Sequence, residues 1–287
     1  MDRSLSKNEA KLVLDLEWRG QKTVTLKDLR AGLGASDEYA RYLAHRLVHK
    51  GWLERLRPGL FQLIPAARGR EAVADTNPLA AGSVVTQPYF FSFGTACTHH
   101  GLTEQVFAEI YISCRERRRP EVIRGTSYIF AYMRETRFFG FEETSVLGDA
   151  VQMATPERAL LDALDRPNYA GGIGEVSRML ARSISRLRPD RLTEILERWG
   201  ESALAQRLGY LADVHGTELP PGLRPTLERL VRPDSKLLLG PRTRWGTSGA
   251  LARTWNIIEN VPRTVLVEKR DENRRRVKFD LRNRRDR

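Results

Sequence analysis

Residues 25–64, TLKDLRAGLGASDEYARYLAHRLVHKGWLERLRPGLFQLI, constrain the fold of this chain more than any other stretch. Thr25 with Asp28 makes a capping pattern for one helix, and Gly34 ends it. Ser36 then caps a second helix. In it Ala40, Leu43, Ala44, Leu47 and Val48 recur at helical spacing and must bury one face. The opposite face carries Arg41, Tyr42, His45, Arg46 and His49. Gly51 stops this helix, and the apolar runs Trp52 to Leu56 and Leu60 to Ile64 flank Arg57-Pro58-Gly59 as strands flank a hairpin turn. Upstream, Ser6-Lys7-Asn8-Glu9 fits a capping box for a helix running to about Arg19, closed by Gly20, and Thr23 with Val24 adds a short strand beside the hairpin. Three short helices and a hairpin are the parts of a winged helix-turn-helix.

With 287 residues there is material for two domains. The expected class is α+β: a winged helix-turn-helix over residues 1–70, a linker over 71–82, and a mixed α/β domain over 83–287 ending in a basic tail. The linker reading rests on the Ala-, Gly-, Arg- and Asp-rich composition of Ala66 to Gly82. No apolar run is long enough to cross a bilayer, and MDRSLSKNEA has no apolar signal region, so a cytoplasmic location without membrane contact is expected.

The net charge of +12 is unevenly distributed. Residues 1–70 hold 14 Lys+Arg against 8 Asp+Glu and residues 263–287 hold 11 against 5, whereas residues 71–262 hold 23 of each. The excess lies in the winged helix and the tail, as attraction to nucleic-acid phosphate requires. In a helix-turn-helix the early residues of the second helix meet base edges in the major groove. The expected DNA-binding residues are therefore Ser36, Tyr39, Arg41, Tyr42, His45 and Arg46, with Lys50, Arg55 and Arg57 placed for phosphates. Arg41 and Arg46 suit bidentate bonding to guanine.

In the second part, Glu109 to Ser113, Thr126 to Met133 and Ala150 to Ala154 read as strands, with the charged run Arg115 to Pro120 as a solvated turn. Thr155-Pro156-Glu157 is a strong helix start. Gly171 to Gly174 reads as a turn feeding a helix from Glu175 to Ser183. Pro189 to Trp199, Ser202 to Val214 and a short stretch through Val231 read as further helices. Lys236 to Leu239, Trp255 to Ile258 and Thr264 to Val267 suggest late strands, with Val277 and Phe279 another.

Searches for chemistry return little. The chain has no Walker loop, GxSxG, HExxH or strand-borne GxGxxG. Cys97-Thr98-His99-His100 lacks metal-ligand spacing and reads as a helix end closed by Gly101. Glu157, Asp162 and Asp165 fit capping and salt-bridging better than catalysis. Near Glu268 to Glu272 the acids have the wrong spacing for a nuclease. No catalytic residue, metal or cofactor is expected.

The phrases LKDLRAGLG and ARYLAHRLVHKGWLERLRPGLFQLIP, followed by THHGLTEQ, FFGFEE, VQMATPERALLDALDRPNYAGGI and RLGYL, resemble in order the AbiEi antitoxins of the AbiE, or type IV, toxin-antitoxin systems of phage defence. The resemblance spans roughly residues 8 to 260. It implies a repressor whose winged helix binds double-stranded DNA at repeats in its own promoter; that two copies pair on DNA is expected separately, from the repeated half-sites that helix-turn-helix proteins read. The resemblance further implies that the second domain counters a nucleotidyltransferase-type toxin without a stable complex. The alternatives are a winged-helix-targeted nuclease or nucleotide-modifying enzyme, a winged helix used only for protein contacts, and a plain transcription factor with no toxin partner.

Overall fold

A computed structural model of the chain describes residues 3–66 and 77–267. Helix α1 (Lys7–Trp18) begins where the Ser6 backbone N–H donates to Glu9 Oε2 at 2.7 Å. Strand β1 (Thr23–Thr25) leads into α2 (Leu26–Leu33), capped by the Thr25 hydroxyl and Asp28 and closed by Gly34 in the left-handed region, φ +61°. Helix α3 (Asp37–His49) follows the Ser36 cap, and β2 (Leu53–Arg57) turns through Pro58-Gly59 into β3 (Leu60–Leu63). The strands form an antiparallel sheet of order β1-β3-β2, with Val24 opposite Phe61 and Leu53 opposite Leu63. A bulge between Arg55 and Arg57 shifts the register beside the turn.

The apolar face of α3 does what its spacing requires. Ala40, Leu43, Ala44 and Leu47 are buried together with Leu12, Val13 and Leu16 of α1, Leu29 of α2, and Trp52, Leu53 and Phe61 of the sheet. Each large side chain so buried contributes on the order of 1.5–3 kcal/mol. Gly32 lets α1 approach α2 closely, since a Cβ there would lie 2.7 Å from Leu12 Cδ1.

Beyond this domain come α4 (Pro78–Ser83), β4 (Tyr89–Phe91), α5 (Phe93–His99), β5 (Glu109–Cys114), β6 (Glu121–Ile123), β7 (Thr126–Tyr132), β8 (Phe141–Val146) and β9 (Asp149–Ala154). Then follow α6 (Pro156–Asp165), α7 (Ile173–Ser183), α8 (Pro189–Trp199), α9 (Ser202–His215), α10 (Leu223–Leu230), β10 (Leu237–Leu238), α11 (Arg242–Trp245), β11 (Leu251–Ala252), β12 (Ile257–Ile258) and α12 (Arg263–Leu266). Two compact units divide the chain. One comprises Met1–Phe90, Ala108–Tyr132 and Glu143–Gln152; the other comprises Phe91–Phe107, Met133–Glu142 and Met153–Arg287.

In the first unit β5 and β7 pair in parallel from Glu109↔Ser127 to Cys114↔Tyr132, and β6 adds antiparallel to β7, giving the order β6-β7-β5. The β6–β7 turn is Arg124-Gly125 with φ of 50° and 77°, the left-handed pair that a tight hairpin needs. In the second unit α6 is buried on nearly every side, from Glu157 to Leu164. Helices α5, α7, α8 and α9 pack around it. A small sheet of order β10-β12-β11 follows.

Several expectations need correction. Thr264 to Val267 is no strand: after Pro262 the chain makes the single turn of α12, and the Val265 carbonyl oxygen would lie 2.7 Å from a Cβ at Gly174 of α7. A run of four apolar and β-branched residues is too short to distinguish a strand from a helical turn. Only Ile257 and Ile258 of the stretch from Trp255 form a strand, because Trp255 and Asn256 belong to the turn after β11, their N–H groups donating to the Ala252 and Arg253 carbonyls, with Asn256 at φ 50°. The strands β6 and β11 are too short, and β8 and the turn of α11 too polar, to be read in advance. Of the linker range, Pro78 to Gly82 belong to α4, and 71–76 lie outside the described residues. Val277, Phe279 and the tail Arg282 to Arg287 lie outside them too.

Candidate nucleic-acid interface

The exposed face of α3 is built from its first turns. The Ser36 hydroxyl accepts the Tyr39 N–H at 3.3 Å, which caps the helix. Tyr39 and Tyr42, 39% and 53% exposed, stand 6.1 Å apart between ring centroids. Arg41 and His45 are exposed beside them and make no ion pair among the described residues. Arg41 also lines a shallow cleft of about 240 Å³ with Leu26, Lys27, Arg30 and Asp37. There Arg30 holds Asp37 at 2.9 Å, turning a first-turn carboxylate toward α2.

The other cations of this face have partners. Arg46 donates to the Tyr42 hydroxyl at 3.3 Å, with its guanidinium 5.6 Å over the ring, and its Nε lies 3.2 Å from Glu9 Oε1. The Tyr42 bond and the Glu9 charge raise its pKa. Lys50, which ends α3, bonds Glu9 Oε2 at 2.6 Å. Glu9 is only 1% exposed. Burial pushes its carboxyl up, but the Lys50 ammonium and the Ser6 N–H outweigh this and leave it below the usual carboxylate value. A buried anion in α1 therefore anchors the C-terminal half of α3 and orients two of its cations.

On the hairpin, Arg55 is exposed with no ion pair among the described residues, whereas Arg57 lies 2.8 Å from Glu121 of β6. Nearby Arg124 pairs with Glu54 at 3.0 Å and Lys22 with Asp149 at 3.3 Å. Of the nine residues expected from the sequence, Ser36, Tyr39, Arg41, Tyr42, His45 and Arg55 stand open on α3, its cap and the wing. Arg46, Lys50 and Arg57 are engaged by carboxylates. Sequence reasoning missed Lys27, Arg30 and the anchoring role of Glu9. The capping box marks Glu9, but nothing in the pattern shows that it also meets Lys50, 41 positions away.

No group of three or more His, Cys, Asp and Glu side chains among the described residues is arranged to hold a metal ion. Cys97 is fully buried, and burial pushes its thiol up. His100 Nε2 meets the Ala154 carbonyl at 2.7 Å, and burial lowers the pKa of His99. The carboxylates of α6 serve structure. Glu157 accepts the Arg188 N–H at 3.0 Å, Asp162 pairs with the buried Arg158 at 2.9 Å, and Asp165 lies 3.4 Å from Arg166. No helix among the described residues is long and apolar enough to cross a membrane.

Comparison with known proteins adds the family. Residues 11–64 match the family model described as a transcriptional regulator, AbiEi antitoxin, and residues 89–214 match that of the AbiEi antitoxin C-terminal domain. Among solved structures the chain is similar to the RV2827C protein from Mycobacterium tuberculosis, with a TM-score of 0.59 at 19% identity over 89% of this chain and 92% of that one. At that identity the likeness is one of fold. A search of curated proteins finds no match.

Proposed function

We propose, for a chain that belongs to the AbiEi antitoxin family of transcriptional regulators, that it represses its own operon and counters a nucleotidyltransferase-type toxin encoded beside it, as in a type IV system. Residues 1–70 bind the promoter and residues 83–287 carry the antitoxin role. The observation that carries the DNA-binding half is the open, cation-bearing face of α3, with Tyr39, Arg41, Tyr42 and His45 projecting from a helix whose opposite side is core. Such a helix enters the major groove by its N-terminal turns, and two copies occupy repeated half-sites. Arg41 is the reader of bases, while Arg55 on the wing, with Arg46, Lys50 and Arg57, supports the backbone contacts.

The test is a gel-shift titration of the full chain on the DNA upstream of its own gene. Arg41→Ala weakens binding by about 1–3 kcal/mol, the size of one bidentate base contact, with an unchanged unfolding midpoint. Equal affinity of the variant and the parent refutes the reading. The antitoxin half is tested by co-expression with the neighbouring nucleotidyltransferase. Growth is restored by the full chain, and no stable complex is recovered on affinity purification. Failure to restore growth removes the toxin from the proposal and leaves a transcriptional regulator.

A further inference from the structure

The second unit holds a cavity of about 640 Å³ between the turn after α6, helix α9 and the strand β10. That volume lies within the ~300–1,000 Å³ typical of small-molecule sites. Its lining is unlike the rest of the region. Residues 71–262 are electrically neutral, yet Arg166, Arg207, Lys236 and Arg242 face this one cavity against a single acid, Asp165, which lies 3.4 Å from Arg166. Arg207 is half-buried. Its Nη1 donates to the Leu164 and Asp165 carbonyls at 2.8 and 3.1 Å, closing the C-terminal end of α6, and its Nε is buried without a hydrogen-bond partner. Among the described residues no carboxylate pairs with Arg207, Lys236 or Arg242. A guanidinium withdrawn from water without a counter-ion is costly unless an anion completes it.

Apolar side chains and the Tyr169 ring make up much of the remaining wall. Leu237 and Leu238 belong to β10, the edge strand of its sheet; the Leu237 N–H bonds the Asn256 carbonyl, which leaves the Leu238 N–H on the free side. Tyr169 is fixed edge-to-face against Phe93, with centroids 5.1 Å apart. We infer that this cavity binds a nucleoside phosphate, its phosphate held by Arg207, Lys236 and Arg242 and its base lodged against Tyr169, Leu237 and Leu238. The inference stands apart from promoter binding, since none of these residues belongs to the winged helix.

Calorimetric titration of the full chain with AMP, UMP, inorganic phosphate and a 5′-phosphorylated RNA tetranucleotide tests it. A mononucleotide is expected to bind at least about tenfold more tightly than inorganic phosphate, and the double substitution Lys236→Glu/Arg242→Glu to weaken it by about tenfold or more. Arg41→Ala leaves this binding unchanged. Both substituted rim residues are exposed, so the variant folds; Arg207→Ala removes a helix-closing contact and is informative only where its unfolding midpoint is retained. Tetranucleotide binding of equal strength makes strand ends the source of the ligand, and exclusion of the tetranucleotide makes it free nucleotide; either supports the site. Affinity no better than that of phosphate, insensitivity to the rim substitutions, or loss in Arg41→Ala overturns the proposal.

Discussion

Glu9 and Asp162 are both carboxylates excluded from water, yet their partners lie in opposite places. Glu9 holds Lys50 and Arg46, whose side chains are 18% and 40% exposed and lie at the C-terminal end of α3. Asp162 holds Arg158, which is itself wholly buried, with its guanidinium 4.3 Å from the Trp199 ring, 5.1 Å from that of Phe139, and bonded to the Phe139 carbonyl at 3.0 Å. The first network begins in the core and ends on the exposed face of α3, the surface proposed to meet DNA. The second is closed on itself and serves the helical core alone. A buried ion pair is thus a device of orientation in one unit and of packing in the other.

The sharpest way to break this contrast is Arg158→Ala. It leaves a buried, unpaired Asp162 and costs about 3–5 kcal/mol, read by urea unfolding, with operator affinity unchanged while the protein is folded. Replacing both partners by Met and Leu recovers most of the loss. Glu9→Gln has a smaller effect on stability, about 1–3 kcal/mol, and lowers operator affinity as well, because Lys50 and Arg46 lose their anchor. Should Arg158→Ala weaken operator binding in the folded protein, or Glu9→Gln spare it, the two networks are not distinct.

Acid sharpens the comparison through opposite signs. Burial raises Asp162 to about 6, above its value of ~3.9 in an unfolded chain. Between these values the native state keeps a proton that the unfolded state releases, so this contribution is greatest at the acidic end and is lost as pH rises through about 6. Glu9 is lowered, so its contribution is present above the ordinary Glu value of ~4.3 and is lost as pH falls through the lower native one. Unfolding measured from pH ~2 to ~7 shows the first trend, above the ordinary Asp value, abolished in Asp162→Asn and the second, below the ordinary Glu value, abolished in Glu9→Gln. The smallest effect belongs to Glu121→Gln. Freeing Arg57 at the wing changes stability by about 0–1 kcal/mol, as for other partly exposed pairs, and strengthens DNA binding slightly.

Local signals made much of this fold legible. Ser36, Thr25 and Thr155 cap the helices that their sequences announce, and the 3.6-residue spacing of Ala40 to Val48 found the core. Long-range facts left no such mark. Whether a cation on α3 is open or engaged depends on Glu9, tens of residues away, and nothing in LVHK distinguishes Lys50 from a solvated lysine. Strand β8, FEETSV, has mostly exposed or half-buried side chains and so lacks the apolar alternation that would have announced it. The four cations that line the cavity are scattered from Arg166 to Arg242 and meet only because the turn after α6 and the edge strand β10 come together.

The paired cations of the first unit have a consequence for ion release. Lys22, Arg57 and Arg124 are matched by Asp149, Glu121 and Glu54, so a phosphate reaching any of them exchanges one ion pair for another. Only an unmatched cation makes a net neutralisation that expels the condensed counterions of the duplex. Of the cations proposed for backbone contacts, Arg46, Lys50 and Arg57 are matched and Arg55 is not, so the matched ones add little to the slope of log K against log salt, which is roughly −0.9 per phosphate newly neutralised. The count of basic residues in the winged helix would suggest a far steeper slope. A winged helix built this way is expected to hold DNA with a grip that changes little as ionic strength drifts.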